Sequence, residues 1–192
     1  PHLSVGAARP AVFRTSTFVF SSPEAAARAF EIALGKAKPA AGENVDLIYA
    51  RLSHPNAEIL EDQIVPLEHG AQSAAVFNSG MAAISSLLLT FCPPGSAIIA
   101  TAPLYGGTQL FLESILGSLG VERVAVDAGN SAALSRAITE TPKAKVVFIE
   151  TPANPTLTMT DIAAAVKTAR AQKDPPLVVV DNTFMGPAFQ HP

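Results

Sequence analysis

A single cysteine, Cys92, stands among 192 residues, so no disulfide can form within the chain, which fits a reducing, cytoplasmic setting. It precedes Pro93 and Pro94 at the end of an apolar stretch, where a packed, inert thiol is the expectation. Charge is sparse: 15% of residues are charged, with 13 cations against 16 anions and no basic cluster. Nucleic acids and anionic membrane surfaces therefore find no electrostatic footprint. The longest apolar runs, such as Ile84 to Phe91 with its two serines, are too short to span a bilayer. No charged leader followed by an apolar segment opens the chain, so no signal peptide is expected, although Pro1 is not an initiator residue. Four histidines, His2, His54, His69 and His191, are scattered without ligand spacing, and no metal is assigned. What is left is an apolar chain, 48% hydrophobic, that is expected to hide surface against a partner subunit or another domain.

The pattern along the chain divides near residue 55. Residues 1–55 read as an arm without helical period, then a helix that Ser22 caps, Pro23 opens and Gly35 ends, then a loop from Lys36 to Glu43. A second helix starts near Asn56, and Pro66 should kink or end it. Residues 56–192 then alternate element types. Strands are expected at Ala74 to Phe77, Ala97 to Thr101, Val121 to Val126, Lys145 to Glu150 and Leu177 to Asp181. Helices are expected at Met81 to Phe91, Gly107 to Leu119, Ala132 to Thr139 and Thr160 to Ala171. Continuous apolar strands such as Val146-Val147-Phe148-Ile149 suit a sheet covered on both faces. The fold class is therefore α/β, with a mostly parallel sheet flanked by helices.

Open α/β sheets bind ligands outside the carboxyl ends of their strands, which directs attention to the polar residues there. Asn78-Ser79-Gly80-Met81 opens a helix, whose free amides make an anion cup or simply a tight turn. The glycine fingerprints of nucleotide sites, Gly-x-x-x-x-Gly-Lys-Ser/Thr and Gly-x-Gly-x-x-Gly, are absent. Tyr105, in Leu104-Tyr105-Gly106-Gly107-Thr108, is placed to lie flat on a planar ligand or to plug the sheet edge. Two prolines stiffen the loop Thr151-Pro152-Ala153-Asn154-Pro155 around Asn154. Asp181 finishes a wholly apolar strand, where an unpaired carboxylate is costly; it faces a cation, a metal or a protonated heterocycle, or else caps the next turn. Tyr49-Ala50-Arg51 pairs an aromatic ring with a phosphate-competent guanidinium, or is a surface pair.

Taken in order, the motifs Tyr49-Ala50-Arg51-Leu52, Asn78-Ser79-Gly80-Met81, Leu104 to Thr108, Glu150 to Pro155 and Asp181-Asn182-Thr183 resemble the Cys/Met-metabolism family of pyridoxal 5'-phosphate (PLP) enzymes. That family includes cystathionine γ-synthases, cystathionine γ-lyases, methionine γ-lyases and O-acetylhomoserine sulfhydrylases. The resemblance implies a fold-type-I, aspartate-aminotransferase-like large domain that is incomplete at its carboxyl end. It implies that Gly80 and Met81 offer amides to the cofactor phosphate beside Ser79. Tyr105 would stack on the ring and assist the leaving group, Asn154 would sit by the 3-oxygen, and Asp181 would pair with the protonated ring nitrogen. Thr183 would stand at one remove, and Glu150 would be a structural neighbour. Tyr49 and Arg51 would reach the phosphate of a neighbouring subunit, so that the arm completes a dimer-shared site within a tetramer.

Two departures qualify the resemblance. The family's Schiff-base lysine lies in a Ser-x-Thr-Lys segment beyond the Asp-Asn-Thr strand; none of the six lysines here has that context, and the sequence ends at Pro192. Gly107 stands where the methionine γ-lyases carry cysteine, and His54-Pro55 replaces the more usual Asn-Pro. The leading expectation is part of a PLP-dependent carbon–sulfur lyase or transferase acting at the γ-carbon of a sulfur or homoserine-type amino acid. The 192-residue chain alone is expected to be inactive. The alternatives are a non-catalytic fragment or pseudoenzyme serving as a dimer partner, and a nucleotide-binding domain, which lacks its fingerprint.

Overall fold

A computed structural model describes residues 8–192; His2 and the first residues of the expected arm lie outside them. The chain forms two compact units, residues 1–76 and 77–192.

The first unit is built around two capped helices. Helix α1 spans Pro23–Ala33, with the Ser22 hydroxyl accepting from the Ala25 amide at 3.1 Å. A cap of this kind stabilises by about 1 kcal/mol. The helix ends at Gly35, whose φ of +69° lets the next amides turn back onto the last carbonyls. In the loop after it, Arg28 and the Ala40 amide bond the Glu43 carboxylate and hold its pKa down to about 2. Helix α2 spans Pro55–Ile64, one residue ahead of the expected start, because the His54 ring nitrogen Nδ1 caps the Asn56 amide. Pro66 ends it as foreseen, within a tight turn at Val65–Leu67. The arm is tied down: Asn56 bonds both backbone groups of Phe13, and Thr17 bridges Tyr49 in antiparallel fashion.

The second unit is a doubly covered parallel sheet. Strands β1 (Ala97–Ala102), β2 (Glu122–Asp127), β3 (Ala144–Glu150) and β4 (Leu177–Asp181) pair in the order β2-β1-β3-β4, all parallel. Alternate side chains point to opposite faces. Ile98, Ala100, Val146 and Phe148 pack with Leu88 of helix α3 (Gly80–Phe91) and with Leu112. Ile99, Val147 and Ile149 pack on the other face with Leu134 of helix α5 (Ser131–Glu140) and Ala165 of helix α6 (Ile162–Arg170). Helix α4 (Gly106–Leu110) precedes α5 and continues into a wider π turn at Phe111–Leu116, so the expected single helix is divided. Each fully buried aliphatic or Phe side chain of these cores contributes about 1.5–3 kcal/mol. The last helix, α7, is the short Gly186–Phe189.

One expected strand does not form. Residues Ala74 to Phe77 have no strand partner among the described residues, and Val76 and Phe77 are 37% and 43% exposed rather than buried. A strand is stable only when its amides find a neighbouring ladder; here the Val76 amide donates instead to the Glu61 carboxylate at 2.8 Å.

Cys92 is buried behind α3, and burial pushes its thiol up to about 11. The thiol therefore stays protonated near neutrality, and the reactive thiolate is scarce. Peptide-mapped alkylation at about pH 8 should leave Cys92 unmodified in the native protein and modify it once denaturant is added; rapid native labelling would contradict this burial.

Candidate functional site

The carboxyl ends of β1, β3 and β4 and the amino end of α3 enclose a crevice of about 400 Å³ within the second unit. Its lining includes Ser79, Gly80, Met81, Tyr105, Asn154, Asp181 and Thr183, which the sequence singles out, together with Ile84, Glu150, Pro152 and Phe184. The volume is in the range of small-molecule sites, and apolar walls with a few convergent polar groups are their usual form.

At one end lies the start of α3. Ser79 is its cap, with the hydroxyl accepting from the Ala82 amide at 3.1 Å, so the side chain is already committed to the helix. The first amides of the helix, at Gly80 and Met81, have no intrahelical carbonyl to bond, and they carry the positive end of the helix dipole. A Cβ added at Gly80 would meet no atom of the chain within 4 Å, so the space beside this backbone is open to an anion. The Met81 sulfur accepts from the Thr108 hydroxyl at 3.7 Å, which ties the helix start to α4.

At the other end is Asp181. Its Oδ1 accepts from the amide and the hydroxyl of Thr183, closing a turn just beyond β4. The carboxylate caps the turn with one oxygen, while Oδ2 faces the crevice lining without a hydrogen-bond partner among the described residues. Between the two ends stand Tyr105 and Asn154. Neither the tyrosine hydroxyl nor the asparagine amide is hydrogen-bonded among the described residues, and the Tyr105 ring is 50% exposed. The ring lies over Gly107: a Cβ there would come within 2.6 Å of Tyr105 Cε1.

An anion cup, a planar ring, an amide and a half-free carboxylate in one cleft suit a flat heterocycle bearing a phosphate at one side and a basic nitrogen at the other. These donor groups fit PLP, whose phosphate, ring and nitrogen each find a matching group. None of the six lysines lines the crevice.

Tyr49 and Arg51 lie in the first unit. The guanidinium sits 4.9 Å from the centre of the Tyr49 ring, a cation–π contact, and has no hydrogen bond or ion pair among the described residues. The bridge from Thr17 and the hydrogen bond from the Ala50 amide to the Ser16 carbonyl anchor Tyr49, after which the chain turns, with the Leu52 and Ser53 amides donating to the Tyr49 carbonyl.

One supporting residue, Gln190, escapes the sequence reading, and another, Glu150, is expected there only as a structural neighbour. Gln190 donates to the Thr151 carbonyl and to Asn182 Oδ1, each at 2.9 Å, and so ties the chain beyond α7 to the ends of β3 and β4. Glu150 is only 4% exposed, and its carboxylate accepts the amides of Tyr105 and Asn154. The signal that picks out Asp181, an acid ending an apolar strand, applies equally to Glu150. No signal along the chain marks Gln190.

A family model described as Cys/Met metabolism PLP-dependent enzyme matches residues 2–192. An L-methionine gamma-lyase of Pseudomonas putida is 38% identical over 187 residues, which are 97% of this chain and 43% of that protein. A cystathionine beta-lyase of Bacillus subtilis is 40% identical over 144 residues, 75% of this chain and 35% of that protein. The solved structure of cystathionine gamma synthase from Xanthomonas oryzae pv. oryzae, in complex with cystathionine, matches with TM-score 0.79 at 27% identity, covering 97% of this chain and 42% of that one. The chain thus spans less than half the length of these relatives.

The contact between Tyr105 and Gly107 yields a direct expectation. Gly107→Ala should turn the Tyr105 ring out of its present rotamer while changing stability by no more than about 1 kcal/mol, since the ring is half exposed. A crystal structure of the variant with the ring unmoved would contradict it.

Proposed function

The chain belongs to the Cys/Met metabolism family of PLP-dependent enzymes, with a second unit of fold type I, and from that premise we propose that it is the amino-terminal part of a carbon–sulfur lyase or transferase. Its substrates are amino acids of the cystathionine, methionine or O-acyl-homoserine type. What supports this most is the convergence on one crevice of the α3 amides, Tyr105, Asn154 and Asp181.

In this reading the amides of Gly80 and Met81 bind the cofactor phosphate, with Ser79 holding the helix start that presents them. The ring of Tyr105 would cover one face of the cofactor ring, and the Asn154 side chain would lie beside its 3-oxygen. Asp181 would use Oδ2 to keep a proton on the ring nitrogen, with Thr183 holding Oδ1 in place. A charge-assisted bond of this sort is worth about 1.5–3 kcal/mol. Bound there, the cofactor supplies an electron sink for charge that develops at the substrate α-carbon. Tyr105 is the catalytic residue contributed by this chain, and its unbonded hydroxyl is available to the leaving group. Tyr49 and Arg51 serve the phosphate of a neighbouring subunit, which makes the working form a dimer at least and a tetramer in the fuller version of the reading. Their mutual stacking leaves the guanidinium edge free for such a contact.

The residue at 107 bears on the finer choice among substrates. With glycine there, the Tyr105 ring occupies space that a side chain would take, and the absence of the cysteine found at this position in the methionine γ-lyases weighs against methionine without deciding among the other substrates. A cytoplasmic location belongs to the same reading, supported by the lone buried cysteine; no helix among the described residues is long and apolar enough to cross a membrane.

The test is a substrate panel on the purified full-length protein carrying this chain, after its visible spectrum has been recorded. A yellow band that borohydride bleaches is expected, with keto-acid release or γ-replacement fastest on cystathionine or an O-acyl-homoserine. A colourless protein that gains no band with added PLP would overturn the reading. Fastest turnover of methionine would overturn only the role given to Gly107.

A further inference from the structure

Glu150 stands in the crevice wall. Its setting is unusual. The residue ends β3, where its partner in register on β4 is Asp181, so two carboxylates stand side by side at the sheet edge. Like charges directly opposite one another on adjacent strands destabilise a sheet. Glu150 is also 4% exposed, and no cation pairs with it among the described residues. A buried, unpaired carboxylate is tolerated only when hydrogen-bond donors replace its water.

Those donors are two backbone amides from two different loops. Oε2 accepts from Tyr105 at 2.8 Å, and Oε1 accepts from Asn154 at 2.7 Å. A third tie completes the arrangement: the Glu150 amide donates to the Thr101 hydroxyl at 3.1 Å, and Thr101 is fully buried on β1, the strand that leads to Tyr105. The loops after β1 and β3 are therefore spaced by one planar carboxylate. The division of labour at the two receiving residues is clear. Their backbones are fastened to Glu150, while the Tyr105 hydroxyl and ring and the Asn154 side-chain amide remain free to meet a ligand.

We propose that Glu150 is a positioning residue, whose carboxylate sets the separation and tilt of Tyr105 and Asn154, the two residues that would meet the cofactor ring and its 3-oxygen. The inference rests on the reading of this crevice as a PLP site. It explains why an acid is kept where an apolar residue would bury at less cost. Both oxygens must accept, and no neutral isostere can do that: glutamine keeps one acceptor and turns an NH2 group towards the other amide, so that donor faces donor. Glu150→Gln must release one of the two loops. Glu150→Asp keeps the charge but is one methylene shorter, and so reaches one amide but not both.

The test compares wild type and Glu150→Gln in the full-length protein, reading PLP affinity by titration, the circular dichroism induced in the cofactor band at saturation, and the melting temperature. Wild type should show a cofactor band with induced dichroism. Glu150→Gln should stay folded, bind PLP about ten- to a hundred-fold more weakly, as loss of a charge-assisted hydrogen bond implies, and lose most of the induced signal because the ring is no longer held at one tilt. A purely structural role would lower the melting temperature while leaving the saturated signal intact, and that result would overturn the proposal. If Glu150→Gln does not fold, Glu150→Asp is read in its place with the same expectation; failure of both to fold would assign Glu150 to stability alone and overturn the proposal. Wild type without any cofactor band would instead sink the PLP reading itself, and the inference with it.

Discussion

The crevice depends on one buried carboxylate satisfied by two amides. The Glu150 side chain is only 4% exposed, and the two amides that take the place of water on its carboxylate belong to residues lining the cleft. The arrangement is stiff because each member is fixed from behind. Glu150 is anchored in a strand that is wholly apolar apart from Lys145 at its far end, Tyr105 opens α4, and the segment after β3 is held where the Thr160 amide bonds Thr151 Oγ1 at 3.0 Å. A site assembled this way has its shape determined by the sheet rather than by flexible loops.

The sheet in turn is held by the parity of its strands. In β1 and β3 successive side chains feed two separate apolar cores, one under α3 and the π turn, the other under α5 and α6. That same parity carries Phe148 and Val179 into one core and then, two residues on, brings Glu150 and Asp181 to the same face at the rim. A slip of one residue in either strand would turn its carboxylate to the opposite face. The apolar burial that stabilises the unit is thus the same pattern that aims its acidic groups at the cleft.

Much of this was legible along the chain, for reasons that also explain the failures. Strands β1, β3 and β4 announce themselves as largely apolar runs beside Gly or Pro, and the capped start of α1 follows from Ser22. The strand expected at Ala74 to Phe77 has the right composition, but composition cannot supply a partner ladder, and its Val76 amide turned to Glu61. The helix after Tyr105 was foreseen as one element because periodicity does not register the widening at Phe111–Leu116. Asp181 is legible as a costly acid at a strand end; Glu150 bears the same signature and reads as a structural neighbour, but what it fastens is not legible, because its partners lie 45 residues upstream and in the next loop. Gln190 is 39 residues from Thr151 and gives no local sign at all.

The account turns on Asp181 holding a proton on the nitrogen of a bound pyridine ring. The most direct measurement is the 15N chemical shift of ring-labelled PLP bound to the full-length protein, compared between wild type and Asp181→Asn. The account predicts the shift of a protonated pyridinium in wild type, moving towards the neutral value in the variant as the unbonded Oδ2 is lost. A neutral ring nitrogen in wild type, or a protonated one that Asp181→Asn leaves unchanged, would contradict it.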